Sequence, residues 1–190
     1  MTDNERDLTN EEYATLVKSG HDHSPRHGFT VYLLGQTGLK RDEAANFTPE
    51  WFDQEEQVVT VPHEQEGWKP ARQHAARQIP LSTPTANNIA KYLEELDSSV
   101  FRVSGSTIYD RVVTAGEHAG ISGVSPKTLR HTYVRRLYNS GLCGGLISEI
   151  IGVQSEAEGV SRSLYYNPLD HSDIDEYWRE NSRLVNLDMN

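Results

Sequence analysis

The sequence predicts a mainly α domain with one small antiparallel β-sheet, an α+β fold. Apolar residues recur at helical spacing through most of the 190 residues, bracketed by capping residues and glycine stops. Only two short runs, residues 58–61 and 77–81, alternate as strands do, with a long polar connection between them. An apolar share of 36% is enough for one core, and no repeat, low-complexity tract or linker divides the chain. One domain is therefore expected across residues 1–190.

The elements follow in order. Thr9 and Glu12 make a capping box with Leu8 placed as a hydrophobic staple, which starts a first helix. A second runs through Phe29, Val31, Leu33 and Leu34 to a stop at Thr37-Gly38, and a third covers residues 41–46. After the two strands, Ser82, Thr83 and Pro84 supply a cap and a first-turn proline for a helix through Ile89, Tyr92 and Leu96. Ser106 is read as the cap of the next, through Ile108, Val112 and Val113. Ser125-Pro126 is the strongest helix start in the chain, and that helix continues to Ser140, with Gly141 as its stop. Gly144 and Gly145 precede a short apolar helix over residues 146–151 that ends at Gly152; residues 156–159 read as a polar loop. Ser172 caps a final acidic helix through Ile174, Tyr177, Trp178 and Leu184, so residues 172–190 form a helix and tail.

Charge is unevenly spread. The net charge is −10, yet residues 67–93 and 118–148 contain no acid, and together they carry +8, leaving −18 on the remainder. Lys69, Arg72, Arg77 and Lys91 fall in the first window, and Lys127, Arg130, Arg135 and Arg136 in the second. Two basic segments inside an acidic shell suit a phosphate-bearing partner. Five Lys against thirteen Arg, with that shell, also suit a protein kept soluble in strong salt, a halophilic source. No apolar run approaches the roughly 20 residues needed to span a bilayer, and residues 1–7 are too polar for a secretory signal, so a cytoplasmic protein without membrane attachment is expected. The single Cys143 lacks a partner for a disulfide or a Cys-x-x-Cys zinc site and reads as a small buried apolar residue. His21, His23 and His27 lie close together and read as a solvated loop. Phosphate loops, paired metal spacings and the Gly-x-Ser-x-Gly elbow are all missing, and no cofactor or metal is expected.

The informative stretch is Ser125-Pro-Lys-Thr-Leu-Arg-His-Thr-Tyr133, followed by Ile150-Ile-Gly152 and Ser161-Arg-Ser-Leu-Tyr-Tyr166. Lys127 and Arg130 stand three apart at a helix start, so both are expected to project from one face beside unpaired backbone amides, as a phosphate pocket requires. This stretch resembles the box of the tyrosine recombinases, also called the phage integrase family: Ser-Pro-His-x-Leu-Arg-His-Thr, then Leu-Gly-His, then a Tyr. Thr37-Gly-Leu-Lys-Arg-Asp-Glu43 is similar to the family's Thr-Gly-Leu-Arg-x-x-Glu, and Arg77-Gln-Ile-Pro-Leu81 to its Arg-x-Val-Pro-Leu strand. The resemblance covers about residues 8–185.

It implies a catalytic domain that binds duplex DNA and breaks and rejoins it through a tyrosine linked to a 3′ phosphate, without metal. Attack on an anionic phosphodiester needs cations on the non-bridging oxygens and a proton donor for the leaving oxygen. By the resemblance Arg130 is a phosphate clamp, Lys127 stands where His is commonest, Lys69 is the candidate acid, and Tyr165 the nucleophile, with Tyr166 beside it as competitor. Lys40 stands where the first Arg belongs and offers no bidentate fork, while Arg41 beside it points elsewhere. Val153 stands where the family has His. Each lost donor is worth roughly 2.7–4 kcal/mol by analogy with oxyanion holes, so catalysis is expected to be impaired. Arg41, Arg72, Arg77, His131 and Arg135 are expected to meet DNA. The family's N-terminal DNA-clamping domain is not expected in this chain. Partner expectations are double-stranded DNA and, on it, a second copy or another recombinase. Two further readings stand beside this one: a decayed module that holds DNA or pairs with a recombinase without cutting, and a helix-turn-helix regulator over residues 127–152, with Arg135 and Arg136 reaching DNA.

Overall fold

The computed structural model describes residues 6–64, 67–69 and 75–153. Arg72, the loop at 156–159, Tyr165, Tyr166 and the final helix at 172–187 lie outside the described residues.

Helix α1 (Asn10–His23) starts at the expected capping box: Thr9 Oγ1 accepts from the Glu12 amide at 3.1 Å and Glu12 Oε2 from the Thr9 amide at 3.0 Å. Leu8 is buried, as a staple should be, and its amide donates to Thr132 Oγ1. Helix α2 (Pro25–Thr37) has proline in its first turn and ends on Gly38 in the left-handed conformation, φ 60°. Every residue from Gly28 to Thr37 is buried, so α2 is the axis of the fold. α1, α4 (Thr83–Glu95), α5 (Gly105–Ala119) and α6 (Pro126–Asn139) all pack against it. Near its start Phe29 meets Phe47, Tyr92 and Phe101 at ring distances of 5.6–6.0 Å.

Helix α3 (Arg41–Asn46) leads through a 3-10 turn, Pro49–Trp51, to a three-stranded antiparallel sheet in the order β1 (Phe52–Asp53), β2 (Val58–Val61), β3 (Arg77–Pro80). Val59 pairs with Ile79 and both are fully buried, which seals the sheet onto the core. Helix α7 (Gly144–Ile151) closes the described chain, packed on β3 and α6.

Five details differ from the sequence reading. Strand β1 went unseen because two residues are too few to alternate. α5 is capped by Ser104, whose backbone is extended (φ −74°, ψ 156°) and whose Oγ accepts from the Thr107 amide, so Ser106 falls inside the first turn. α7 takes in Gly144 and Gly145, because Cys143 holds the extended N-cap position; Cys143 is exposed there rather than buried. His21 and His23 end α1 and His27 opens α2, so they are helical and not a loop. His23 lies 4.6 Å from the His27 ring and 4.2 Å from that of His118 on α5, binding three helix ends together.

That junction is sensitive to acid. Burial, then the charges of His23, Arg111, His118 and Arg26, pulls His27 down to about pH 4, whereas an unfolded His titrates near 6.5. A folded pKa below the unfolded one gives stability that is complete above pH 6.5 and lost as pH falls toward 4. Thermal unfolding across that window is expected to show a steeper fall for the parent chain than for His27→Gln; equal slopes would assign the acid sensitivity to other groups.

Candidate functional site

The site forms where three separate segments meet the last turn of α7. The first is the α2–α3 turn. Gly38 adopts its left-handed φ with the Tyr133 ring against it; a Cβ there would stand 2.3 Å from Tyr133 Cδ1, so only glycine fits. The turn delivers Lys40, whose Nζ donates to the Gly152 carbonyl at 3.3 Å. The second is β3, where Arg77 is almost enclosed: its side chain is 4% exposed and that of Glu43 3%. Arg77 Nη1 and Nη2 donate to the Glu43 carboxylate at 2.8 and 2.9 Å, Nη1 also to the Ala75 carbonyl, and Nε to the Ile150 carbonyl at 2.7 Å. The third is α6, from which Arg130 donates Nη1 to the Gly38 carbonyl and Nη2 to the Ile151 carbonyl at 2.7 Å.

Three cations thus hold three consecutive carbonyls, Ile150, Ile151 and Gly152, at the negative end of a helix. Each such contact is worth about 0.3–1 kcal/mol, rising toward about 2 where partly buried. Gly152 has φ 64°, and a Cβ on it would stand 2.7 Å from Arg77 Nη1, so this end also requires glycine. Burial pushes the Glu43 carboxyl up, but hydrogen bonds and charge from Arg77, with the Lys40 amide donating at 2.7 Å, outweigh it and leave its pKa lowered. Burial brings Arg130 down to about 10, still fully charged at neutral pH. Beside Arg130 a groove of about 550 Å³ is lined by Arg130, His131, Val134, Arg135, Ile151 and Val153, among others.

Of the residues singled out in the sequence, Lys40 and Arg130 converge on α7, with Val153 at the exposed edge of the same groove. His131 and Arg135 line that groove too, Arg135 paired with Asp7 at 3.4 Å. Lys127 is exposed in the first turn of α6, and Arg130, three residues on, is half-buried with its guanidinium on two carbonyls. Arg77, expected at a DNA surface, is instead an internal tie. Its guanidinium is spent on Glu43 and the backbone. Arg41 is exposed, bonds its neighbour Asp42 at 3.2 Å and lines a separate hollow with Ser104, Gly105 and Tyr109. Lys69 is exposed on the β2–β3 connection. Arg136, which the helix-turn-helix reading needs at DNA, is buried with its guanidinium 4.4 Å above the Tyr13 ring. Among the described residues no three His, Cys, Asp or Glu side chains are arranged to hold a metal, and no helix is long and apolar enough to cross a membrane.

The sequence profile of the phage integrase family matches residues 6–160, most of the chain. The chain belongs to the phage integrase family. Its fold is similar to that of several solved members. XerA recombinase superposes with a TM-score of 0.66 at 22% identity, covering 91% of this chain and 62% of that one. The Tn1549 transposon integrase, solved in complex with transposon right end DNA, gives 0.63 at 20% identity, covering 97% and 68%. A λ integrase dimer bound to a COC′ core site gives 0.60 at 14%, covering 79% and 58%. The chain therefore spans less than two thirds of XerA and of the λ protein. Among curated proteins nothing matches. The mainly α architecture with its small sheet is thus that of the catalytic domain of tyrosine recombinases.

Glu43 was not singled out as functional, although it closes the motif Thr37-Gly-Leu-Lys-Arg-Asp-Glu43; the signal was its place in the pattern. Removing it strands a buried guanidinium. Glu43→Ala is expected to cost about 3–5 kcal/mol in chemical denaturation, whereas Glu43→Leu combined with Arg77→Met, which removes both charges, costs markedly less. Equal costs would show that the pair's charge is not what holds this corner.

Proposed function

We propose that the chain binds duplex DNA through the groove beside Arg130, His131 and Arg135 and breaks and rejoins one strand through Tyr165. The convergence of Lys40 and Arg130 at the end of α7, in a chain that matches the family from residue 6 to 160, carries this reading. Cations on two sides of one point suit a phosphodiester whose non-bridging oxygens gain charge during attack. The Tyr165 hydroxyl gives its proton to water as its oxygen attacks phosphorus, the bond to the 5′ oxygen breaks, and Lys69 supplies the proton that oxygen needs as it leaves. The 3′-phosphotyrosine ester keeps the bond energy, and a 5′ hydroxyl reverses the step without nucleotide. Lys40 in place of a forked Arg, and Val153 in place of a donor, make this chemistry slower than a full set would. More than one copy on DNA, or a second recombinase beside it, fits the λ integrase dimer on its core site. The acidic remainder of the chain suits a salt-rich cytoplasm.

A nicked suicide duplex tests the proposal. A covalent protein–DNA species that vanishes in Tyr165→Phe and falls at least tenfold in Arg130→Ala is expected. Persistence in Tyr165→Phe would move the nucleophile to Tyr166, and binding without any covalent species would select the decayed module. If Lys40 and Val153 are what slow the site, Lys40→Arg with Val153→His raises covalent yield; an unchanged yield in the folded double variant would place the defect elsewhere.

A further inference from the structure

We infer that the last turn of α7 is an internal stand-in for the DNA phosphate, which Arg130 and Lys40 release when the real anion arrives. The inference rests on the DNA-binding reading and adds to it a coupling between phosphate capture and the closure of the α7 terminus at Gly152 and Val153.

The three cations at this corner are not equivalent. Arg77 has a full anionic partner in Glu43, is nearly inaccessible, and holds Ile150. Glu43 reaches the Arg130 and Lys40 side chains through its charge; both hydrogen bonds described for Arg130 go to neutral carbonyls, Gly38 and Ile151, and the bond described from Lys40 to the Gly152 carbonyl is long at 3.3 Å. A helix terminus offers only about half a unit of negative charge, spread over several carbonyls. A phosphodiester offers a full unit on two oxygens, and a charge-assisted hydrogen bond is about twice as strong as a neutral one. Arg130 lines the groove together with Ile151 and Val153, so a phosphate entering there meets the cation and its present acceptor at the same place.

Competition then has a defined boundary. Ile150 stays tied by Arg77, while Ile151 and Gly152 lose their cations, and the left-handed Gly152 at φ 64° is the residue best able to take up the change. The α7 terminus is otherwise closed by the Gly152 amide on Glu149 and the Val153 amide on Ser148, at 3.1 and 2.9 Å. With the cations gone these bonds open more often.

The opposite arrangement is physically distinct. Arg130 has five N–H donors, and if phosphate used the others while the carbonyl bonds stayed, α7 would tighten.

Hydrogen exchange on the full chain separates these outcomes. With a nicked mixed-sequence duplex, saturating by fluorescence anisotropy, the amides of Gly152 and Val153 are expected to exchange about tenfold faster, with α2 unchanged. Saturation with unchanged or slower exchange overturns the inference and leaves DNA binding intact. If no duplex binds at low salt, the DNA reading fails, and inorganic phosphate decides on the clamp alone: faster exchange at the same two amides supports it, none overturns it. In the DNA-free chain Arg130→Gln is expected to mimic the anion at those amides; an unaltered pattern there would mean that Arg130 does not hold α7.

Discussion

The buried pair of Arg77 and Glu43 is the contact on which the corner depends. Glu43 accepts the amide of Lys40 and so fixes the start of α3, while Arg77 joins β3 to the carbonyl of Ile150 on α7. One carboxylate and one guanidinium thereby connect the α2–α3 turn, the sheet and the last described helix. The geometry makes burial of both charges tolerable: the carboxylate takes two donors from one fork, and two further N–H groups donate to the Ala75 and Ile150 carbonyls. Without that tie, Lys40 and Arg130 would have no common point to face.

α2 supplies the rigidity behind it. A helix buried from Gly28 to Thr37 cannot shift without disturbing α1, α4, α5 and α6 at once, so Gly38 at its end is a fixed point. The Tyr133 ring packs on that glycine, one turn along α6 from Arg130, and this sets where the guanidinium sits relative to the turn. Precision at the site is thus inherited from the most enclosed element in the fold.

Much of this was legible in the sequence, for reasons that are local. The box of Thr9 and Glu12, the stop at Gly38 and the start at Ser125-Pro126 are each decided within four residues, and each stands where it was read. What escaped was decided at a distance. Helical spacing gives the direction of a side chain's base, whereas the Arg130 guanidinium answers to carbonyls 92 residues before and 21 after. Arg77 reads as a basic surface residue until Glu43, 34 positions away, is known to enclose it. Arg136 reads as exposed until Tyr13 is found beneath it. Position in the family pattern singled out Lys40 and Arg130, which meet at the end of α7; it did not reveal that Arg77 and Arg136 are enclosed.

The sequence separation of these contacts also orders assembly in time. α1 and α2 are neighbours in the chain and share an extensive interface, so they meet across a short loop. The contacts that close the corner span 34, 73 and 112 residues, the last being Lys40 to Gly152, and each must wait for that much chain to be brought together. A nascent chain therefore owns a hydrophobic nucleus well before it owns a cluster of oriented cations. The corner where Lys40, Arg77 and Arg130 meet is therefore complete only in molecules whose chain has folded through α7, and it is the last part of the described body to take shape.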